Sequence, residues 1–435
     1  METSPLKVAI IGGGLGGLTL AKTLLRSGEG EGGEGSNRVE VRLYEAWDQW
    51  KVRGGALGLA AGERILKSFG LGTKLAAVAN DGQDLCVQYH ANGTKLSSLN
   101  FTGCMAMRTD LQKLLVDSLP PEIIKLGHKV IDIVEGDDDV LLTFENGATA
   151  SAHLVVAADG IHSFVRQKVF GEDSPVFTGF RVLYSVSSKP YRPNPSINNI
   201  HWIEADGVGY GVLELTAGRD SSRHDICALI LQSKEEVTDR WDSTMVRERF
   251  EQVAQQLGDL AVLKTAVENS EVCFDWGIYR SPERKTWISP KGRTVLLGDA
   301  AHATAPFMGQ GANMAMHDAY CLGQILLNPK ISLSDGLQLY ENNRKAYCES
   351  VVARSSRMGQ VHTAVGLKAS FRNTFLSTIV LPIMRKVLST GPPSRNPGTR
   401  RTSPVWSTVP VALSVSSGVL ERVWDACAHD GHRET

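Results

Sequence analysis

An apolar run, Val8-Ala9-Ile10-Ile11, passes directly into Gly12-Gly13-Gly14-Leu15-Gly16-Gly17, and Leu15, Leu18, Ala21, Leu24 and Leu25 follow at helical spacing. Few folds can use that order. A short unbroken apolar strand suits a parallel sheet buried on both faces. The helix behind it must lie back against the strand, which calls for glycine where the two backbones meet. Val39, Val41 and Leu43 then alternate as a second strand ending at Glu45, so the segment predicts a strand–helix–strand unit. Between helix and second strand, the Gly- and Glu-rich run from Gly28 to Gly35 has nothing to bury and reads as an inserted surface loop.

Further along, Arg64 to Phe69 and Asp110 to Leu119 have helical patterns, and Asn146-Gly147 between Val140–Phe144 and Ala148–Ala150 signals a hairpin. The strand Leu154 to Ala157 runs into Asp159-Gly160. From about Val176 to Leu231 the chain turns to strands rich in Val, Ile, Tyr and Trp, and a helix from about Thr244 to Leu257 leads back. Thr294 to Leu297 is a further buried strand; it ends on Gly298-Asp299. A loop with Pro306 and Gly309-Gln310-Gly311 follows, and a helical tract runs from near Ala312 to about Gly366. The fold class expected is α/β: a Rossmann-like nucleotide-binding domain with an inserted β-sheet domain and a helical C-terminal tract. Its boundaries are read as 1–175 and 271–375 for the two parts of the nucleotide-binding domain, 176–270 for the inserted sheet, and 376–435 for an unassigned tail. From Gly391 the composition is that of a linker.

A net charge of −1 and a pI near 6.8 give no footprint for nucleic acid or an anionic membrane. Seven scattered cysteines, odd in number and never in CxxC, fit reduced thiols, and with them a cytoplasmic setting. The N-terminus enters a strand almost at once, which leaves no room for a signal peptide, and no apolar run is long enough to span a bilayer. The histidines show no ligand spacing, so no metal is expected, and His302 reads as a structural loop residue.

The GxGxxG spacing falls on Gly12, Gly14 and Gly17. The first permits the turn, the second lets a pyrophosphate approach the backbone, and the third lets helix and strand pack. Glu45 at the end of the second strand can accept hydrogen bonds from ribose hydroxyls, which suits FAD or NAD and disfavours a 2′-phosphate. Taken singly, other positions are ambiguous. Arg108 in MRTDL is equally a solvated arginine beside Asp110 or Asp117, and Asp159 and Asp299 are equally ordinary strand-end turns.

Their order along the chain is more telling. GGGLGG with Glu45, RGGALGLAAGERIL, MRTDL, AADGIHSFVR and GDAAHATAPFMGQGANMAMHDA together resemble the FAD-dependent aromatic hydroxylase family over roughly the first 370 residues. These are the single-component flavin monooxygenases that include salicylate and para-hydroxybenzoate hydroxylases. The resemblance implies that Glu45 binds the adenosine ribose, Arg108 touches the FAD chain and Gly55 lies near the flavin. Asp159, braced by Arg166, would help hold FAD and receive NADPH or NADH; Asp299 would bind the ribityl chain. Pro306 would border the reacting face, and the backbone at Gly309, Gly311 and Ala312 would meet the pyrimidine edge of the flavin. The implied reaction takes electrons from NAD(P)H through FAD to molecular oxygen, one atom of which hydroxylates or epoxidises a small organic substrate, with secondary metabolism as a setting. A flavin reductase or dehydrogenase without oxygen transfer, and a non-catalytic protein of the same fold, share these motifs.

The chain also departs from that family. Where many relatives carry an arginine in the first strand of the substrate domain, it reads VLYSVSS, with Tyr184-Ser185, and the register of nearby Arg181 places it elsewhere. A larger neutral, polycyclic or terpenoid-like substrate fits that change better than a phenolic acid. Tyr210 in GVGYGVLEL is the candidate catalytic residue, able to hydrogen-bond substrate or shuttle a proton, and is equally a packing residue of the sheet. Tyr184, His201 and Trp202 are candidate pocket residues, and Trp276 and Tyr279 are expected to pack the domain interface.

Overall fold

The computed structural model describes residues 4–375 apart from 26–37, 51–53, 81–83, 89–94, 101–102, 172, 237–242 and 258–260. The Gly28–Gly35 loop and the chain beyond 375, including the stretch from Gly391, lie outside the described residues.

The apolar runs build a parallel five-stranded sheet in the order Thr294–Leu296, Leu154–Ala157, Leu6–Ile11, Val39–Tyr44 and Ile124–Lys125. The strand before the glycine loop is at its centre, with both neighbours ending on its C-terminal side at Tyr44 and Ala157. Leu15–Leu25 and Gly311–Leu327 pack together against this sheet, and glycines set their spacing. A Cβ at Gly16 would meet the Leu297 side chain at 2.7 Å, and one at Gly323 would meet Thr23 at 2.5 Å. The hairpin at Asn146-Gly147 forms, with Gly147 at φ 83°, inside a small antiparallel sheet.

The second large sheet has seven strands, ordered Val272–Arg280, Val176–Ser187, His224–Gln232, Val208–Ala217, Ile197–Ala205, Asp84–Gln88 and Lys95–Asn100. All its pairings are antiparallel except that of Ile197–Ala205 with Asp84–Gln88. This sheet draws strands from outside residues 176–270: an edge strand at Val272–Arg280, and a hairpin of Asp84–Gln88 and Lys95–Asn100 that lies well before the insertion. Both of its faces are covered. Helices Ser243–Gln256 and Ala261–Asn269 pack the outer face, whose core contains Leu183, Val212, Leu229, Val246 and Phe250. The inner face meets the nucleotide-binding domain through Met105, Met107, Ala305 and Phe307. The long helix Leu333–His362 runs beside Gly311–Leu327 and ends against the sheet, followed by Gly366–Phe375. No helix among the described residues is long and apolar enough to cross a membrane.

Candidate active site

The three glycines of the first loop are bare for three different reasons. Gly12 adopts φ 109°, and a Cβ there would lie 2.4 Å from the Ala158 carbonyl oxygen. A Cβ at Gly17 would lie 2.1 Å from the Gly12 carbonyl oxygen, so this residue sets the distance between helix and strand. At Gly14 nothing stands within 4 Å of the Cβ position. Its backbone opens onto a cleft at the start of a helix, where N–H groups and the helix dipole favour an anion.

Around that opening the structure gathers most of the residues expected to bind a cofactor. Glu45 accepts the Gly13 N–H at 2.7 Å and the Trp47 N–H at 3.1 Å, which brings its carboxylate to the glycine loop. Arg108 begins the helix Arg108–Val116 and its N–H donates to the Gly55 carbonyl at 3.1 Å. Burial draws the Arg108 guanidinium pKa down, while the charges of Asp299 and Glu45 oppose that shift. Asp299 starts the turn of helix Asp299–His302 after Gly298, at φ 61°, and is exposed to the cleft. Protein surrounds it at depth all the same: this raises its carboxyl pKa, with His302 and Arg108 opposing.

Asp159 sits beside Gly12. One oxygen accepts the Val165 N–H at 3.2 Å; the other is buried without a hydrogen-bond partner among the described residues, and burial raises this carboxyl as well. Ser163 caps the helix Phe164–Phe170 by accepting the Arg166 N–H at 2.9 Å. Arg166 is fully buried, donates to the Ile161 and Ala300 carbonyls at 2.7 and 3.0 Å, and pairs with Asp173 at 2.8 Å. It therefore ties the Asp159 segment to the Asp299 segment.

Two polar anchors of this site were missed in the sequence. Gln112, one turn after Arg108 on the same helix face, donates to the Gly13 carbonyl at 2.7 Å. Asn313, in the first turn of Gly311–Leu327, accepts the Ala60 and Gly62 N–H groups at 2.9 and 3.1 Å and donates to the Gly58 carbonyl at 2.8 Å. A polar side chain on an otherwise apolar buried helix was the available signal. Gly311 and Ala312 open that helix after Gly309 in the left-handed region at φ 61°.

Beneath Asp299 lies a buried ionic network. His302 Nε2 and Asp318 Oδ2 are 2.5 Å apart, and Arg344 Nε donates to Asp318 Oδ1 at 2.7 Å. Burial alone would lower the His302 pKa, but Asp318 overrides it and raises it well above the usual range; His302 and Arg344 in turn hold Asp318 far below the carboxylate range against burial. His302, Asp318 and Cys348 bring potential ligand atoms within 4.8 Å of one another. Arg344 already supplies the cation there, so the group reads as an ion-paired brace for the Gly298–His302 turn.

The inner face of the seven-stranded sheet closes the cleft from the other side. Tyr184 stacks on Phe274, with ring centroids 4.8 Å apart and planes 16° apart, and Trp276 extends the aromatic wall. The Tyr184 hydroxyl accepts the Ala56 N–H at 2.9 Å. Tyr210 is not part of this wall. It packs in the outer core with Leu183, Ile203 and Val212, under the two covering helices, because strand alternation turns it away from the cofactor cleft. The catalytic role expected for it is therefore not supported by its position. His201 is also on the outer face, 2.7 Å from Glu214. Arg181 lies there too, buried and bidentate on Asp275.

Trp202 does belong to the inner face. Its indole N–H donates to His362 Nδ1 at 3.0 Å, and the Arg372 guanidinium lies 4.3 Å from its ring. Burial, with Arg372 adding to it, lowers His362 to about 4. The helix end carrying His362 reaches the sheet because Gly209 and Gly211 are bare: a Cβ at Gly209 would lie 2.2 Å from the Thr363 carbonyl oxygen, and one at Gly211 would lie 3.0 Å from His362. Trp276 joins the inner interface cluster as expected, while Tyr279 pairs with Phe177.

These groups fit a dinucleotide cofactor. A bare backbone lies at a helix start, the Glu45 carboxylate borders it, Asp299 and Glu45 both help sustain the charge of Arg108, and a second glycine-started helix begins at Gly311. Comparisons with known proteins agree with that fit. The model of a family described as FAD binding domain matches residues 5–355. A 3-amino-4-hydroxybenzoate 2-monooxygenase, PtnB3 of Streptomyces platensis, is 27% identical over 399 residues, covering 87% of this chain and 94% of its own length. Hispidin-3-hydroxylase of Neonothopanus nambi is 30% identical over 396 residues, covering 80% and 87%. Among solved structures, HpxO of Klebsiella pneumoniae complexed with FAD and uric acid superposes with a TM-score of 0.72 at 19% identity, over 86% of this chain and 92% of that one.

Proposed function

This chain belongs to the FAD binding domain family that spans its residues 5–355, and from that membership we propose that it oxygenates a flat, uncharged aromatic substrate held against the inner face of the seven-stranded sheet. It is an FAD-dependent monooxygenase of the aromatic hydroxylase type, and NAD(P)H is the reductant its family uses. When bound, FAD supplies the redox chemistry, taking a hydride from the nicotinamide and passing electrons to oxygen.

The protein's own residues bind, orient and exclude. Gly14 would leave a diphosphate room, Glu45 would accept from ribose, Asp299 and Arg108 would hold the chain between, and the start of Gly311–Leu327 would offer N–H groups to the negative charge of a reduced flavin. Tyr184, Phe274, Trp276, Met105, Met107 and Phe307 make a wall that excludes water and offers stacking.

The observation that carries the substrate reading is the polarity of that wall. Along the paired central strands the inner-face positions Val182, Tyr184, Val186, Ile226, Ala228, Ile230, Phe274 and Trp276 are all apolar or aromatic, and a cation, Arg372, borders this face over the Trp202 ring. The strand's own arginine, Arg181, faces the other way and is neutralised by Asp275. A substrate carboxylate against those central strands would be buried without a counter-ion from the strands themselves, at a cost of several kcal/mol. The test follows NADPH oxidation, oxygen uptake and peroxide release with neutral polycyclic phenols and with simple hydroxybenzoates. Neutral compounds should give coupled product carrying an atom from labelled oxygen; hydroxybenzoates should give little. Product formed under strict anaerobiosis would refute oxygen transfer, and better-coupled turnover of hydroxybenzoates would refute the substrate class.

A further inference from the structure

Tyr184 is held more rigidly than a wall residue needs to be. Its strand is paired on both sides, with Ala228 and Phe274 opposite it, and its ring is stacked on Phe274. From there its hydroxyl crosses to the other domain and accepts the Ala56 N–H at 2.9 Å. The ring also fills the place of a missing side chain. A Cβ at Gly55 would lie 2.3 Å from the Tyr184 hydroxyl and 2.4 Å from Cζ. The loop is bounded on its other side by Arg108: a Cβ at Gly54 would lie 2.7 Å from Arg108 Cδ, and the Arg108 N–H holds the Gly55 carbonyl at 3.1 Å. Asp299 and Glu45 help sustain the charge of that arginine. The Gly54–Ala56 loop is thus clamped between a residue of the cofactor cleft and a residue of the substrate sheet.

We propose that Tyr184 is a positioning residue that clamps the Gly54–Ala56 loop against Arg108, so that retention of FAD depends on a side chain of the substrate sheet. The proposal rests on the FAD reading of the site. Burial raises the phenol far above its ordinary range, so it stays neutral and the clamp is a neutral hydrogen bond plus shape.

The test uses holoenzyme diluted to low concentration, with release of FAD followed by recovery of its fluorescence. Tyr184→Phe keeps the ring and its stacking and removes only the acceptor for a part-buried N–H. It should speed release on the order of tenfold. Gly55→Ala should do the same by collision, and combining it with Tyr184→Phe should speed release little beyond either single variant, because both break the same clamp. A residue that merely packs the sheet would leave FAD release unmoved in Tyr184→Phe. Release from Tyr184→Phe within about twofold of wild type, or effects of Gly55→Ala and Tyr184→Phe that multiply in the double variant, would overturn the clamp. A wild-type protein that purifies without FAD and does not take it up would instead overturn the cofactor reading, and the clamp with it.

Discussion

Gly14→Ala separates the fold from the cofactor. The Cβ position at Gly14 has nothing within 4 Å, and its φ is not in the left-handed region. The substitution therefore leaves protein packing alone, and should hold stability constant or raise it by about 0.4–1 kcal/mol by restricting the unfolded chain. Its effect falls on whatever approaches the bare backbone. A phosphate oxygen hydrogen-bonded to a loop N–H stands about 2.9 Å from nitrogen, whereas a methyl carbon keeps an oxygen at about 3.3 Å or more. Losing one charge-assisted bond to that crowding costs about 1.5–3 kcal/mol, which is roughly 10- to 150-fold in affinity. Gly17→Ala is the opposite case. Its Cβ would be 2.1 Å from the Gly12 carbonyl oxygen, inside the helix–strand contact, and overpacking of that kind costs about 1–3 kcal/mol of fold stability. Thermal melts of the FAD-stripped proteins and FAD titrations followed by flavin fluorescence distinguish the two. Gly14→Ala should melt with wild type and bind FAD weakly, and Gly17→Ala should melt early. Wild-type FAD affinity in Gly14→Ala, or a stability loss equal to that of Gly17→Ala, would refute the division of labour assigned to the glycines.

Three other outcomes follow from buried contacts. Gly209→Ala must push the Thr363 carbonyl away from the sheet, which strains the Trp202–His362 and Gln232–Thr363 hydrogen bonds, both 3.0 Å long; urea denaturation should show a loss of about 2–4 kcal/mol, with faster hydrogen exchange at the end of Leu333–His362. Asp318→Asn leaves the charges of His302 and Arg344 buried without their partner and should cost about 3–5 kcal/mol. Its pH signature is two-sided. The contribution of Asp318, whose pKa is depressed, is present above about pH 4 and lost as pH falls through the depressed value. The contribution of His302, whose pKa is raised, is full below about pH 6.5 and lost as pH rises through the raised value, so a stability–pH profile of the variant should be flatter at both ends. Arg181→Met alone should cost about 3–5 kcal/mol because Asp275 stays buried and unpaired, whereas Arg181→Met with Asp275→Leu should recover most of it in the same melts. Both Arg181 variants should retain the wild-type ranking of substrates; a changed ranking would place Arg181 in the substrate site after all.

What the sequence made legible was whatever the local chain decides. The glycine spacing and the strand ends at Glu45, Asp159 and Asp299 are consequences of a few adjacent residues, and the structure sets Glu45 against the glycine loop and couples its charge and that of Asp299 to Arg108. Alternation was also enough to place Arg181 and Tyr184 on opposite faces, since they stand an odd number of positions apart. It was not enough to say which face meets the cofactor, because both faces of this sheet are covered and both are apolar. Hydrogen bonds such as Gln112 to Gly13 and Asn313 to Gly58 join residues 99 and 255 positions apart, beyond any local period.

The segment GVGYGV shows the difficulty in one place. Tyrosine draws attention because its phenol can do chemistry, but a tyrosine between two strand glycines points away from the face those glycines leave bare. The bare face is the one another backbone approaches, and here the end of Leu333–His362 does so at Gly209 and Gly211. That approach seats His362 against Trp202 and within 6.0 Å of the Phe307 ring. The glycines, not the tyrosine between them, carry this strand's contribution to the cleft, because they let a helix end form part of its wall.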